Sequence, residues 1–231
     1  MSAKVLQLVN SAYFGLAHRV TSVAQAVGYL GLGVLRALAL NAHVLGAIEG
    51  TIVSRATLDE VQRTALATAT VAKQKIRDRT LANDAFTAGI VHDIGRLVVA
   101  LGMPAKFREI AEASRQTQRA RHVVEEEHLG VTHAEVGAYL LGVWGLPFSV
   151  VESTALHHAP GRGGGDPGEL LMAVHLAAGA VAEAAGECSV LDLALCERLG
   201  RTNELDGYRA AARAYHERLD SSEGAPRAAS S

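Results

Sequence analysis

Between Ala88 and Leu97 the chain reads Ala-Gly-Ile-Val-His-Asp-Ile-Gly-Arg-Leu, an apolar run interrupted by an adjacent histidine and aspartate. Any fold that buries this run must also bury a carboxylate, and a buried carboxylate has to be met by a cation or by hydrogen-bond donors. His92 offers a neutral imidazole nitrogen and Asp93 a carboxylate that can bridge two cations, so at a helix bend the pair can serve a di-metal centre. A core histidine hydrogen-bonded to its neighbour's carboxylate is an equally good reading of the two residues taken alone.

Residues downstream extend the pattern. Thr132 followed three residues later by Glu135 reads as a capping box, which places His133 in the first turn of a helix. After Trp144-Gly145-Leu146, Pro147 should open another helix, with His157-His158 at its far end. His92, Asp93, His133, His157 and His158 therefore lie on successive predicted helices. His18, His43, His122, His128 and His175 fall outside this order and read as surface or hydrogen-bonded structural residues. Lys106, Arg108, Arg115, Arg119 and Arg121 are interleaved with Glu109 and Glu112 at helical spacing, the pattern of a solvated face without a ligand.

The periodicity predicts an all-α fold. Val23, Ala26, Val27 and Leu30 share a face after Thr21 or Ser22 as cap, and further helices fit 57–78, 82–101, 104–119, 132–142 and 169–185, with no competing strand alternation. Gly161 to Gly168 reads as a mobile loop rather than a phosphate cradle, because no Lys-Ser or Lys-Thr pair follows its glycines. Tyr13, Phe14 and Trp144 are expected in the core, and Cys188 and Cys196 are expected as reduced thiols on one helix. The 231 residues, 49% of them hydrophobic, suffice for one substantial helical domain or two small ones. A net charge of −2 and 4% aromatics leave no electrostatic or stacking surface for nucleic acid. Met1 leads into an amphipathic helix rather than a signal peptide, and the apolar stretch from Leu32 to Ile48 is interrupted by Arg36, Asn41 and His43; no membrane partner and a cytoplasmic location are expected.

The order of a histidine-aspartate pair, a lone histidine and a double histidine resembles the HD superfamily of metal-dependent phosphohydrolases, and within it the HD-GYP branch that hydrolyses cyclic di-GMP. A more specific resemblance lies in Asn10-Ser11-Ala12-Tyr13-Phe14-Gly15-Leu16, Arg19 to Val23 and Ala26 to Gly31, joined by Phe86 to Gly95 and by His133 through Trp144-Gly145-Leu146-Pro147 to His158. These stretches are similar to HDOD domains, the HD-related output domains of bacterial signalling proteins, over about residues 2 to 180.

That resemblance implies an HD-like helical bundle over 57–220 and a smaller and shortened N-terminal helical subdomain over 1–52; the small, polar composition of 221–231 predicts a disordered tail. It also implies that Thr64 and Ala178 stand where active HD enzymes carry a histidine and an aspartate; neither side chain replaces the lost ligand. The expected function is a non-catalytic bacterial signal-transduction module that binds a protein partner, a signalling domain or a small ligand. The alternative is a metal-dependent phosphodiesterase acting on a cyclic dinucleotide. No cofactor is expected beyond one weakly held divalent metal at the partial set, and Asp93 is expected to be satisfied by histidine protons. The shortened start would leave the Val5, Leu8 and Val9 stripe free for self-association.

Overall fold

The structure, a computed structural model, describes residues 20, 22, 25–27, 33–40, 55–189 and 191–223. The described residues are helices and their connections, with no strand among them. After helical residues at 25–27 and 33–40, these are in chain order α1 (Arg55–Lys75), α2 (Arg79–Val91), α3 (Ile94–Gly102), α4 (Pro104–Thr117), α5 (Arg121–Leu129), α6 (His133–Val143), α7 (Phe148–Leu156), α8 (Glu169–Ala184), α9 (Leu193–Arg198) and α10 (Leu205–Glu223).

Local chemistry sets most of the boundaries. Asp78 caps α2 by accepting from the Leu81 amide at 2.8 Å, Pro104 fills the first position of α4, and Gly130, at φ 70°, ends α5 in the left-handed region that glycine enters without strain. The capping box at Thr132 is present in both directions: Glu135 Oε2 accepts from the Thr132 amide at 2.8 Å, and Thr132 Oγ1 from the Glu135 amide at 3.3 Å. Near the start, Ser22 Oγ accepts from the Gln25 amide at 3.2 Å, which identifies Ser22 as the cap there.

α8 is the centre of the bundle. It is buried on nearly every side from Leu170 to Val181, and it packs against α1, α7 and α10. α1 pairs with α2, α3 with α6, and α6 with α7. Val20, Ala26, Val34, Leu35, Ala37 and Leu38 belong to the same buried cluster as the bundle's core, and Trp144 packs against it half-buried. The stretch Arg79–Gly102 is apolar and long enough to cross a membrane by composition, but 83% of its apolar window is buried inside the fold, as in a core element.

Several expectations are corrected. The helix predicted over 82–101 is two helices that break at His92 and Asp93; both halves are buried, so the apolar pattern runs through the break without marking it. α5 was not predicted, because it is short and joins the charged run before it. Cys188 is exposed beyond the end of α8 while Cys196 is buried on α9, so the two free thiols do not share a helix. Pro160–Gly163 forms a 3-10 turn, and Asp166 in the following loop accepts from Arg198 at 2.7 Å. α10 continues to Glu223, three residues into the expected tail; 224–231, the Val5, Leu8 and Val9 stripe, Tyr13, Phe14, His18, His43 and the domain boundary near 52 lie outside the described residues.

Candidate metal centre

The break between α2 and α3 aims Asp93 into the bundle, where it meets the start of α6 and the end of α7. His133 is the first residue of α6, His157 the C-cap of α7, and His158 follows it. The Nε2 atoms of His133, His92 and His157 lie 3.1, 3.6 and 3.7 Å from Asp93 Oδ1. His158 Nε2 lies 3.1 Å from His133 Nε2. The ligand atoms of Asp93, His133, His157 and His158 all fall within 4.8 Å of one another. His92 sits beside this group, its ring edge-to-face with that of His157 at 5.0 Å, without belonging to it.

The outer nitrogens explain why the inner ones converge. His92 Nδ1 donates to the Gly89 carbonyl at 2.8 Å and His157 Nδ1 to the Thr154 carbonyl at 2.8 Å. His133 Nδ1 donates to Glu125 Oε2 at 2.5 Å, and the same oxygen accepts the His133 amide at 2.8 Å. Each anchor consumes the Nδ1 proton and leaves Nε2 facing the centre, the arrangement by which outer partners orient metal-binding histidines. His157 Nε2 is buried without a hydrogen-bond partner, which a buried polar atom does not stay without a reason. Three imidazole nitrogens and a carboxylate oxygen suit one divalent cation such as zinc, manganese or iron.

Burial pushes the His92 imidazole down, and it holds those of His157 and His158 well below the usual histidine range. Burial acts the same way on His133, but Glu125 and Asp93 outweigh it and raise that imidazole to about 9. Burial also opposes ionisation of Asp93, yet His92, Arg96 and His133 together keep its carboxyl well below the ordinary range. Asp93 Oδ2 accepts from Arg96 Nη1 at 3.0 Å, and Arg96 Nη2 reaches Glu60 at 2.9 Å. Asp93 is therefore met by the Arg96 guanidinium and by the Nε2 proton of His133 alone, while His92 and His157, with their single proton on Nδ1, turn lone pairs towards it.

A cavity of about 400 Å³ opens on the cluster, lined by His92, Asp93, His133, His157, His158 and, beside them, Thr64 and Ala178. The two positions at which the resemblance led us to expect further ligands thus face the same space as the five residues singled out in the sequence. Sequence reasoning missed Arg96, which the i,i+3 spacing from Asp93 could have revealed, and Glu125, which is eight residues from His133 on another helix and carries no local signal. It also set aside His122, whose ring stacks on that of His158 at 3.9 Å with 15° between planes. His175 is the structural histidine expected: buried, with Nδ1 donating to the His157 carbonyl at 2.7 Å and Nε2 accepting from the Asp192 amide at 3.0 Å.

Comparison with known proteins agrees with this architecture. The chain is 27% identical to a candidate phosphohydrolase from Shewanella amazonensis SB2B, covering 94% of this chain and 77% of that one, with a TM-score of 0.63. An HDOD domain protein of unknown function from Geobacter sulfurreducens shares the fold at 20% identity and TM-score 0.65, over 96% of this chain and 78% of that one. An uncharacterised protein of Treponema pallidum (strain Nichols) is 30% identical over 155 residues, 67% of this chain but only 30% of that relative's length. The HDOD domain profile matches residues 1–160, a span that contains the broken helix at His92-Asp93, the capped helix at His133 and the double histidine. The chain belongs to the HDOD domain family.

Proposed function

We propose that this domain is a non-catalytic regulatory module that binds a protein partner or a small ligand and holds at most one divalent cation, at Asp93, His133, His157 and His158. One observation carries this reading: Thr64 and Ala178 line the cavity beside the cluster and bring no strong donor to it. A hydrolytic two-metal site needs a shared carboxylate with further ligands on each ion, and one cation exhausts the convergent set. When bound, such a cation would act as a Lewis acid; the chain's own part is to orient the imidazoles through Gly89, Thr154 and Glu125. Exposed Tyr139, Val143 and Phe148 around the α6–α7 turn support a protein partner.

Elemental analysis of dialysed protein, run beside hydrolysis assays on cyclic di-GMP, tests the reading. We expect no more than one metal per chain and no turnover. Two metals per chain, or metal-dependent turnover, would establish instead the phosphodiesterase reading, which the four converging donors and the Shewanella relative favour.

The two vacant positions allow a constructive test. Thr64→His together with Ala178→Asp adds donor atoms on α1 and α8 at the wall of the same cavity. The double variant is expected to bind manganese more tightly than either single variant, by roughly tenfold or more, since ligands of one ion couple rather than add. Unchanged manganese affinity would mean that these positions do not face the ion.

A further inference from the structure

Four arginines line the cavity over the cluster, and three of them are paired with carboxylates. Arg96 is held by Asp93 and Glu60, Arg115 by Glu112, and Arg119 by both carboxylate oxygens of Glu127 at 2.8 and 2.6 Å. Arg121 also lines the cavity, and among the described residues no carboxylate lies within ion-pair distance of it. Its Nη1 is buried without a hydrogen-bond partner. Its guanidinium is not loose, since it lies over the Phe107 ring at 5.3 Å from the centroid, a stacking that fixes the direction of the fork. The sequence pattern had placed Arg121 on a solvated face; the structure turns it inward.

The backbone adds to this. Arg121 is the first residue of α5, its N-cap is Ala120, and no side chain caps that end. Ala120, Arg121 and His122 all line the cavity, which places the start of α5 and the positive end of its dipole in the wall beside the unpaired guanidinium. His157 Nε2, 1% exposed as a residue and without a partner, lines it too. Of the carboxylates in the wall, Glu60 and Asp93 are tied to Arg96, and burial pushes the Glu187 carboxyl up. At about 400 Å³ the space falls within the roughly 300–1,000 Å³ of small-molecule sites.

We propose that this cavity binds a small oxyanion-bearing ligand, whose phosphoryl or carboxylate group is held by Arg121 and the first turn of α5 beside the imidazole cluster. This deepens the regulatory reading above, on which it rests, by naming the chemistry of the ligand. The bidentate fork of Arg121 matches two oxygens of either group, and the amides of α5 accept the same charge.

Titration calorimetry on the full chain, after chelator treatment and dialysis, tests the site without dependence on metal. The probes are inorganic phosphate and malonate, with chloride at matched ionic strength as background. At least one probe is expected to bind, and Arg121→Gln is expected to weaken it about tenfold or more. Arg119→Gln, whose partner is Glu127, should leave binding within about twofold. Binding of phosphate alone assigns a phosphoryl ligand and of malonate alone a carboxylate; both outcomes support the site. Should Arg121→Gln not fold, Arg121→Lys keeps the charge without the fork and should bind the same probe several-fold more weakly than the parent. If neither probe binds, or if the Arg121 variant binds as the parent does, the inference is overturned, while the metal stoichiometry measured separately still stands or falls on its own.

Discussion

Replacing Gly95 with alanine is expected to destabilise the fold by about 3 kcal/mol or more, the upper range for forcing atoms into a packed interior. Gly95 lies in the first turn of α3, where that helix crosses the start of α6. A Cβ at this position would overlap the carbonyl oxygen of His133 and come within 2.8 Å of the Gly137 amide nitrogen. Both are backbone atoms of a helix and cannot rotate away, so α3 and α6 would have to separate. That separation would also draw Asp93, two residues before Gly95, away from His133. Gly102→Ala is the matched control: nothing lies within 4 Å of its would-be Cβ, and at the end of the same helix the change should be neutral or stabilising by up to about 1 kcal/mol. Chemical denaturation of both variants checks the pair; a Gly95→Ala midpoint equal to that of the parent would mean the two helices do not pack so closely.

Asp93→Ala should remove metal uptake and lower stability by about 3 kcal/mol, the scale seen when one member of a buried ion pair is deleted. Asp93 is 6% exposed and Arg96 4% exposed, so the guanidinium left behind cannot recover its lost partner from water. Glu60 still holds its other end, which keeps the expected loss at the lower limit of that range. His133 would lose the acceptor 3.1 Å from its Nε2 as well. Asp93→Asn separates charge from volume: it should restore packing without restoring the cation's ligand. Thermal melts and manganese titration read both effects, and an unchanged melting midpoint in Asp93→Ala would show that the carboxylate is not coupled to Arg96.

The parts of this domain that were legible in the sequence are those set by short-range chemistry. Thr132 and Glu135 announced a helix start because a capping box is complete within four residues, which placed His133, and Pro147 announced the helix that ends at His157 and His158. The family motifs extended this to the relation between distant segments, which no local pattern states. What remained hidden depends on three-dimensional neighbours. Glu125 meets His133 only because α5 folds back beside α6, and Arg121 turns inward only because Phe107, on α4, offers it a ring. The interruption of α2 and α3 was hidden for a different reason: where both helices are enclosed on every side, apolar residues carry no record of direction.

Every donor of the candidate metal centre lies at an end of a helix: Asp93 before α3, His133 at the start of α6, His157 and His158 at the close of α7. α6 then runs for 11 residues, roughly 16 Å at about 1.5 Å per residue, before the chain turns back through Trp144 and Pro147 into α7. Along α6 and α7 the domain is thus polarised, with the His–Asp cluster at one end and the exposed apolar side chains Tyr139, Val143 and Phe148 towards the other. Helix length can change at the second pole without moving a single donor at the first. In this domain the α6–α7 turn can vary while the His–Asp cluster keeps its place.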